Sequence, residues 1–364
     1  MGFIDWLIQP IRDTQSLAPS EAEFRNRRTA LGRDAPKDIE AGVFETLEKQ
    51  RRAALAHRRR MLLVGVPALP ILGVSTTFVL KAFDTDSGDA IVWGICVAFF
   101  SALLLRAIAY AGIWIFRKTA KLNVLSALAA RQGLRYDMGR VDKETLRPFK
   151  EEELFGSGTS SGDSEDVFSG KLEGVDFVLF EARRTSRSAS SSQQSSSETL
   201  VFHGLCLQLR FPKRFSGITR VLSDYGLFNR MHLVGADASL ERVRLEDPRF
   251  EKQFEVVSTD QVEARYLLTP ALMERLVAAQ RILGKRTVLR AGFHGHHLLL
   301  TLDTRKNRSL WSRMRGNLNQ LHHFEVQDVS KPVEQMEMVQ RFEQEIALCK
   351  DIITTLQLNM RTRI

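Results

Sequence analysis

Five histidines lie in the C-terminal third of the chain: His294, His296 and His297 in FHGHHLLL, and His322 with His323 in LHHF. Clustered imidazoles are the raw material of a zinc site, which takes three or four nitrogen, sulfur or oxygen donors in tetrahedral reach. The spacing argues against one. His296 and His297 are neighbours in a strand-like run and point to opposite faces, so only His294 and His296 can share a face. No fourth donor is identifiable. The run reads as a polar turn between two strands, and no metal ligand is assigned.

Asp260, Glu263 and Arg265 offer a carboxylate pair beside a cation, the makings of acid–base chemistry. The same spacing describes a helix start, with Asp260 as cap and Glu263 completing a capping box in the first turn, where the macrodipole favours an acid. The glycines of GSGTSSG (156–162) have no Lys-Ser/Thr and no following helix, so they make no phosphate-cradling loop. Cys96, Cys206 and Cys349 sit in apolar contexts with no CxxC pair, so disulfides are not expected and no thiol has catalytic support. No catalytic residue and no cofactor is assigned.

The elements that position these residues are dominated by two apolar stretches, 61–80 and 90–116, separated by nine residues. At about 1.5 Å per residue, roughly 20 apolar residues cross a bilayer. The first stretch has no ionisable residue and the second has only Arg106. A transmembrane hairpin is expected. Arg51, Arg52, Arg58, Arg59 and Arg60 precede it, and Arg117, Lys118 and Lys121 follow it. The connecting loop has Lys81 against Asp84, Asp86 and Asp89. The positive-inside tendency therefore puts both termini in the cytoplasm and the loop outside. The expected location is the inner (plasma) membrane, with no cleavable signal peptide, because the first apolar run begins sixty residues in. The cations nearest the membrane could also hold anionic lipid headgroups.

Arg106 lies ten residues before Phe116, so about 15 Å inside the cytoplasmic boundary if that stretch is all in lipid. An intramembrane arginine is costly unless it is paired or snorkels, and neither span has an acid. Pro67 and Pro70 deprive the carbonyls of Leu63 and Val66 of their usual donors. Two outcomes are open: Arg106 bonds this freed backbone and locks the hairpin, or it snorkels to phosphate. At the N-terminus, Phe3, Ile4, Leu7, Ile8 and Ile11 recur at helical spacing beside Trp6. That stripe either lies in the membrane interface or packs on the protein's own body.

Residues 20–60 read as helix, with Ser20 and Glu23 as a capping box and a second start near Asp38 after Pro36. Beyond the hairpin, a helix ends at Gly133 and a short polar one covers 142–155. The period then becomes two. VFSGKLEGVDFVLFEARRT is a hairpin around Glu173-Gly174, SRSASSSQQSSSET is low-complexity, and LVFHGLCLQLRF and GITRVLSDYG are further strands. Phe250 and Phe254 lie four apart on a short helix, Asp260 starts a second, and Thr269-Pro270 starts a third that Gly284 ends. RTVLRAGF and HLLLTLD are strands joined around His294-Gly295. From about Pro332 a long helix carries Val339, Phe342, Ile346, Cys349, Ile353, Leu356 and Met360 on a heptad seam, which packs within the chain or pairs with another copy.

The segment FEKQFEVVSTDQVEARYLLTPALMERL, with VFSGKLEGVDFVLFEA and FHGLCLQLRFPKRFSG, resembles a bacterial family of two-span membrane proteins of unknown function. Phe250, Glu251, Phe254, Asp260, Glu263, Arg265, Thr269 and Pro270 carry the most specific block. The resemblance implies an inner-membrane protein with a cytoplasmic mixed α/β domain and brings no catalytic residues to this chain.

The expected fold is α+β, since hairpin-linked strands with helices clustered late argue against a doubly wound sheet. Its parts are a cytoplasmic helical segment (1–60), a transmembrane hairpin (61–116), a cytoplasmic antiparallel-sheet domain (117–330) and a C-terminal helix (331–364). The net charge of +9 is not concentrated in one tract and has no aromatic-interleaved platform, so nucleic acid is not an expected partner. The lipid bilayer is, and a protein partner or second copy through the C-terminal helix is a further expectation. The function read from these features is a membrane-tethered binding or scaffolding module; the alternative is a membrane-anchored enzyme acting on a cytoplasmic or lipid substrate.

Overall fold

Two helices of more than forty residues run through the N-terminal part of the chain, α1 (Lys37–Ala82) and α2 (Ser87–Arg131). The structure is a computed structural model that describes residues 37–82, 87–156, 161–187, 198–211, 214–223, 239–283, 287–304 and 324–356 apart from 325 and 327. The N-terminal stripe, the Ser20–Glu23 box, the turn between the spans, the serine-rich run, Gly284, His322 and His323 lie outside the described residues. The chain divides into two compact units, Met1–Ala127 with Glu325–Val339, and Leu128–Phe324 with Gln340–Ile364. The division falls inside α2, not at the end of the apolar stretch.

In the first unit, α1 starts directly after Pro36 and runs on through Pro67 and Pro70. Both helices are long and apolar enough to cross a membrane. They are antiparallel, and small residues let them meet. Gly73 faces Ala98, and a Cβ on Gly94 would collide with Thr77 and come within 2.9 Å of the Gly73 carbonyl oxygen. Further along, Gly112 faces Ala54, and the His57 Nε2–H donates to the Ile108 carbonyl at 3.0 Å. Along this part of the pair Leu47, Ala54 and Met61 of α1 are buried, as are Ala109, Ile113, Phe116, Ala120 and Val124 of α2. Arg51 fastens the segment after the sheet: it donates to the carbonyls of Val329 and Ser330 at 3.1 Å and pairs with Glu48 at 2.6 Å. That guanidinium holds the Glu48 carboxyl down at about 2, against the opposing effect of burial.

The second unit is a nine-stranded antiparallel sheet flanked by helices, in the order β1-β2-β3-β4-β9-β8-β5-β7-β6. Its strands are β1 (Leu134–Asp137), β2 (Ser164–Leu172), β3 (Val175–Arg187), β4 (Glu198–Arg210), β5 (Thr219–Ser223), β6 (Glu241–Val243), β7 (Phe254–Ser258), β8 (Val288–His294) and β9 (His297–Asp303). The helices are α3 (Lys143–Glu151), α4 (Pro248–Glu251), α5 (Gln261–Leu267), α6 (Pro270–Leu283) and α7 (Glu337–Leu356). The α+β class expected from the sequence is the class observed. Gly133, at φ +70°, ends α2 in the left-handed conformation that glycine tolerates and passes the chain straight into β1. Glu173 and Gly174, both at positive φ, form the two-residue turn between β2 and β3.

Strand register sorts the side chains into two faces. One carries Phe180, Ala182, Phe202, Cys206 and Leu299 under a lid made by α3 and the turn after it, with Phe149 5.2 Å from Phe180 and Phe155 5.1 Å from Phe202, centroid to centroid. The other carries Phe168, Leu179, Leu205, Leu207 and Leu300. There Phe342 of α7 packs 5.3 Å from Phe168. The α7 seam residues Phe342, Ile346, Cys349, Ile353 and Leu356 are buried within the chain. Four elements differ from expectation: β1 and β6 are short strands that the sequence reading leaves unassigned, Phe254 opens β7 instead of sharing a helix with Phe250, and α7 begins at Glu337, after a single 3-10 turn at Val333–Gln335, and not at Pro332. The two rings still pack together, with centroids 5.1 Å apart.

Candidate functional site

Arg106 does not bond the backbone around Pro67 and Pro70. Among the described residues its contact is the ring of Tyr110, one turn further along α2, whose centroid lies 5.5 Å from the guanidinium carbon. Arg58 of α1 comes to the same ring, at 5.6 Å. The helix register explains this. With Ala54 against Gly112, His57 against Ile108 and Gly65 against Leu105, Arg106 stands at the level of the first turn of the 61–80 stretch. It is thus close to Arg58, Arg59 and Arg60, not a third of the way into the apolar run. Pro67 and Pro70 lie deeper and exposed. Lys118 sits 5.8 Å over Trp114, and Arg59, Arg60, Arg117 and Lys118 are all exposed. Cation–ring contacts thus lie at two places on α2, Arg58 and Arg106 on Tyr110 and, further along, Lys118 on Trp114.

The sheet unit holds a second cluster, in its buried charges. Asp142 caps α3 by accepting from the Thr145 amide at 2.7 Å, and after Glu151 the chain turns through Glu153 at φ +47°. This turn drives Glu152 down onto the sheet above Gly292. A side chain there would meet the Glu152 Cβ at 3.2 Å, so the missing Cβ makes the room. Glu152 is 1% exposed and faces Arg220 of β5, with Oε2 and Nε 3.7 Å apart. Arg220 also pairs with Glu153 at 3.2 Å and donates to the Glu151 carbonyl at 2.9 Å. His294 closes the cluster, its Nδ1 3.3 Å from Glu152 and its Nε2 3.6 Å from Glu151. Burial pushes the Glu152 carboxyl above the usual range, while His294 and Arg220 pull it back.

On the other face Glu181 pairs with His203 at 3.1 Å, both buried. Glu345 of α7 lies nearby; its carboxyl is pushed up to about 7 by burial, with Arg341 opposing and Glu181 adding. Burial also raises the thiols of Cys206 and Cys349 well above the ordinary value, which leaves them poor nucleophiles. Sequence reading singles out neither set of buried charges. The signals were a triple acid, Glu151–Glu153, running into Leu154-Phe155, and an arginine inside the short strand β5, directly before Val221 and Leu222.

The structure takes Asp260, Glu263 and Arg265 apart. Asp260 caps α5 through the amides of Val262 and Glu263. Glu263 does not complete the capping box: its carboxylate accepts from the amides of Ser216 and Gly217 at 2.8 and 2.7 Å and ties down the approach to β5. Arg265 reaches Gln261. Thr269 accepts from the Leu272 amide, with Pro270 at the first helical position of α6. Phe250 is buried, and Glu251 accepts from the Leu245 amide at 2.8 Å. In the β8–β9 hairpin His294 pairs in register with His297 across Gly295 and His296, so the histidines that share a face are 294 and 297, not 294 and 296. Burial lowers the His297 pKa, and Arg210 and the neighbouring histidines add to the effect. Among the described residues no three His, Cys, Asp or Glu side chains are arranged to hold a metal ion.

No curated protein matches this chain. Among solved structures, the chain is similar to the crystal structure of the mycobacterial trehalose monomycolate transport factor A, TtfA, with a TM-score of 0.31 and 8% identity, over 63% of this chain and 92% of that one. Residues 200–358, from β4 through α7 and including the FEKQFEVVSTDQVEARYLLTP block, match a family described as "Protein of unknown function (DUF3137)".

Proposed function

We propose that this is an integral protein of the bacterial inner membrane, anchored by the α1–α2 hairpin, and that its antiparallel-sheet unit is a cytoplasmic binding or scaffolding module. One observation carries the anchoring. Large apolar side chains along both helices face outward, with Ile71 70%, Phe78 76%, Trp93 60% and Phe100 67% exposed. A continuous band of this kind is unstable in water and is the expected surface of a hairpin in lipid. A core helix would be buried along the same stretch. Arginines and lysines concentrated at the end of the hairpin carrying both long flanks favour a cytoplasmic body. The reading as a binding module draws on the sheet unit, where the acid–base groups brought together are engaged with one another, Glu152 with Arg220 and Glu181 with His203.

The test is site-directed labelling of the full chain in its native membrane. Cysteine introduced at Gly88 should react with a membrane-impermeant maleimide from the outside, and cysteine at Arg59 or Thr119 only in inverted vesicles. Labelling of all three sites from one side, or release of the chain by alkaline carbonate, would sink the proposal.

A further inference from the structure

We propose that Arg58 and Arg106, gathered on the ring of Tyr110, form a binding site for the phosphate of an anionic membrane phospholipid. The inference rests on the reading of the hairpin as membrane-spanning and narrows a diffuse basic belt to one site. The two arginines come from different helices, yet their guanidinium carbons lie 5.6 and 5.5 Å from one ring centroid. Among the described residues neither makes an ion pair or a hydrogen bond. Two like charges gathered on one ring without an acid repel each other, and an anion bonded to both offsets that repulsion. A guanidinium offers paired N–H donors in the geometry of two phosphate oxygens.

Tyr110 adds to the site. It is 41% exposed, and its hydroxyl has no hydrogen-bond partner among the described residues, so it is free to donate to a third oxygen. The surroundings select a lipid over a soluble phosphate. Leu63, five residues beyond Arg58, and Leu103 and Leu104, three and two residues before Arg106, are exposed apolar side chains on the apolar-stretch side of the charges. Acyl chains would cover them while the headgroup meets the arginines. The arrangement also accounts for the one charge inside the second apolar stretch, which requires a partner at the interface instead of within the span.

The full chain, purified in mild detergent, is titrated with dioleoyl phosphatidylglycerol, with phosphatidylcholine and with inorganic phosphate, and read by thermal shift and by tryptophan fluorescence. Phosphatidylglycerol should bind saturably, while the other two at equal concentration have no effect. Arg58→Gln with Arg106→Gln should weaken the apparent affinity about tenfold or more, as expected for loss of charge-assisted phosphate bonds. Tyr110→Phe should weaken it about twofold to fivefold, and Arg59→Gln should leave it within about twofold. Equal losses in Arg59→Gln and the double variant would overturn the site in favour of diffuse attraction. Displacement of the lipid by inorganic phosphate would overturn its assignment to lipid. If the double variant does not melt cooperatively, Arg106→Lys and Tyr110→Phe carry the test, and unchanged affinity in both overturns it. Carbonate extraction separates the two levels. A chain that stays in the membrane but does not discriminate lipids refutes this site alone; a chain released by carbonate refutes the membrane reading.

Discussion

The Glu152–Arg220 pair makes a double-mutant cycle informative, because its members are almost fully enclosed, at 1% and 6% side-chain exposure. Arg220→Met removes the cation and leaves a buried carboxylate facing apolar surface, together with the Glu151 carbonyl that Arg220 had satisfied. Breaking a buried pair from one side costs about 3–5 kcal/mol. His294 remains 3.3 Å away as a partner for Glu152, so the lower end, about 3 kcal/mol, is expected here. Glu152→Leu is milder, about 1–2 kcal/mol, because Arg220 keeps Glu153 at 3.2 Å and that carboxylate is partly in solvent. Removing both charges leaves neither orphan, and the double variant should lose about 1 kcal/mol, which gives a coupling energy of about 3–4 kcal/mol. Thermal melts of the full chain in detergent read this out, at roughly 2–4 °C per kcal/mol for a unit of this size. Single losses that add within about 0.5 kcal/mol would show that the two charges do not depend on each other, and the account of the cluster would fall.

Three other outcomes follow from local geometry. Gly204→Ala should cost about 3 kcal/mol or more, because its Cβ would strike the Leu302 carbonyl oxygen in the central β4–β9 ladder; Gly112→Ala, with 3.6 Å to Ala54, is the tolerated control in the same melts. Gly94→Ile should separate α1 from α2 where Gly73 and Thr77 now touch it and lose about 1–3 kcal/mol, read as earlier melting and as new reactivity of Cys96. Glu345 titrates near 7 when folded and near 4.5 when unfolded, so the folded state binds the extra proton between those values. Stability should therefore fall as pH rises through that window, by about 1–3 kcal/mol, and Glu345→Gln should flatten the profile; an unchanged slope refutes the assignment.

Local signals were legible where a residue acts on its own neighbours. Pro270 after Thr269, the Glu173-Gly174 turn, the Asp260 cap and the α7 seam each act within one turn or one hairpin, and each is found where the spacing puts it. The misreadings concern residues whose partner is distant in sequence. Glu263 has the spacing of a capping box, yet two amides more than forty residues away outcompete the local one. Glu152 and Arg220 look like a surface acid and a strand arginine until α3 is laid over the sheet. His294 meets His297 because the turn holds two residues, and a shift of one residue exchanges the faces. β1 is four residues long, too short for its alternation to separate from a helix tail.

The depth of Arg106 shows why an apolar count alone misleads in such hairpins. The second stretch reads as twenty-seven residues of lipid-spanning helix, which buries Arg106 by arithmetic. Pairing with α1 corrects the sum. Opposite the last ten residues of that stretch stand Ala54, His57 and the arginines before Met61. Ala109, Ile113 and Phe116 are apolar because they face α1, as Ala120 and Val124 do further on. On the membrane-spanning reading, apolar sequence here serves two solvents in succession, lipid and then a partner helix, and hydropathy does not distinguish them. What does is the change in exposure along the helix, from Phe100 at 67% to Phe116 at 0%. On the membrane-spanning reading the bilayer boundary of α2 therefore belongs near Arg106 and Tyr110. That leaves about 20 residues of each helix in lipid, the length that a bilayer of about 30 Å requires. The arginine then marks the boundary and carries no intramembrane cost that would call for a lock on the proline-freed backbone.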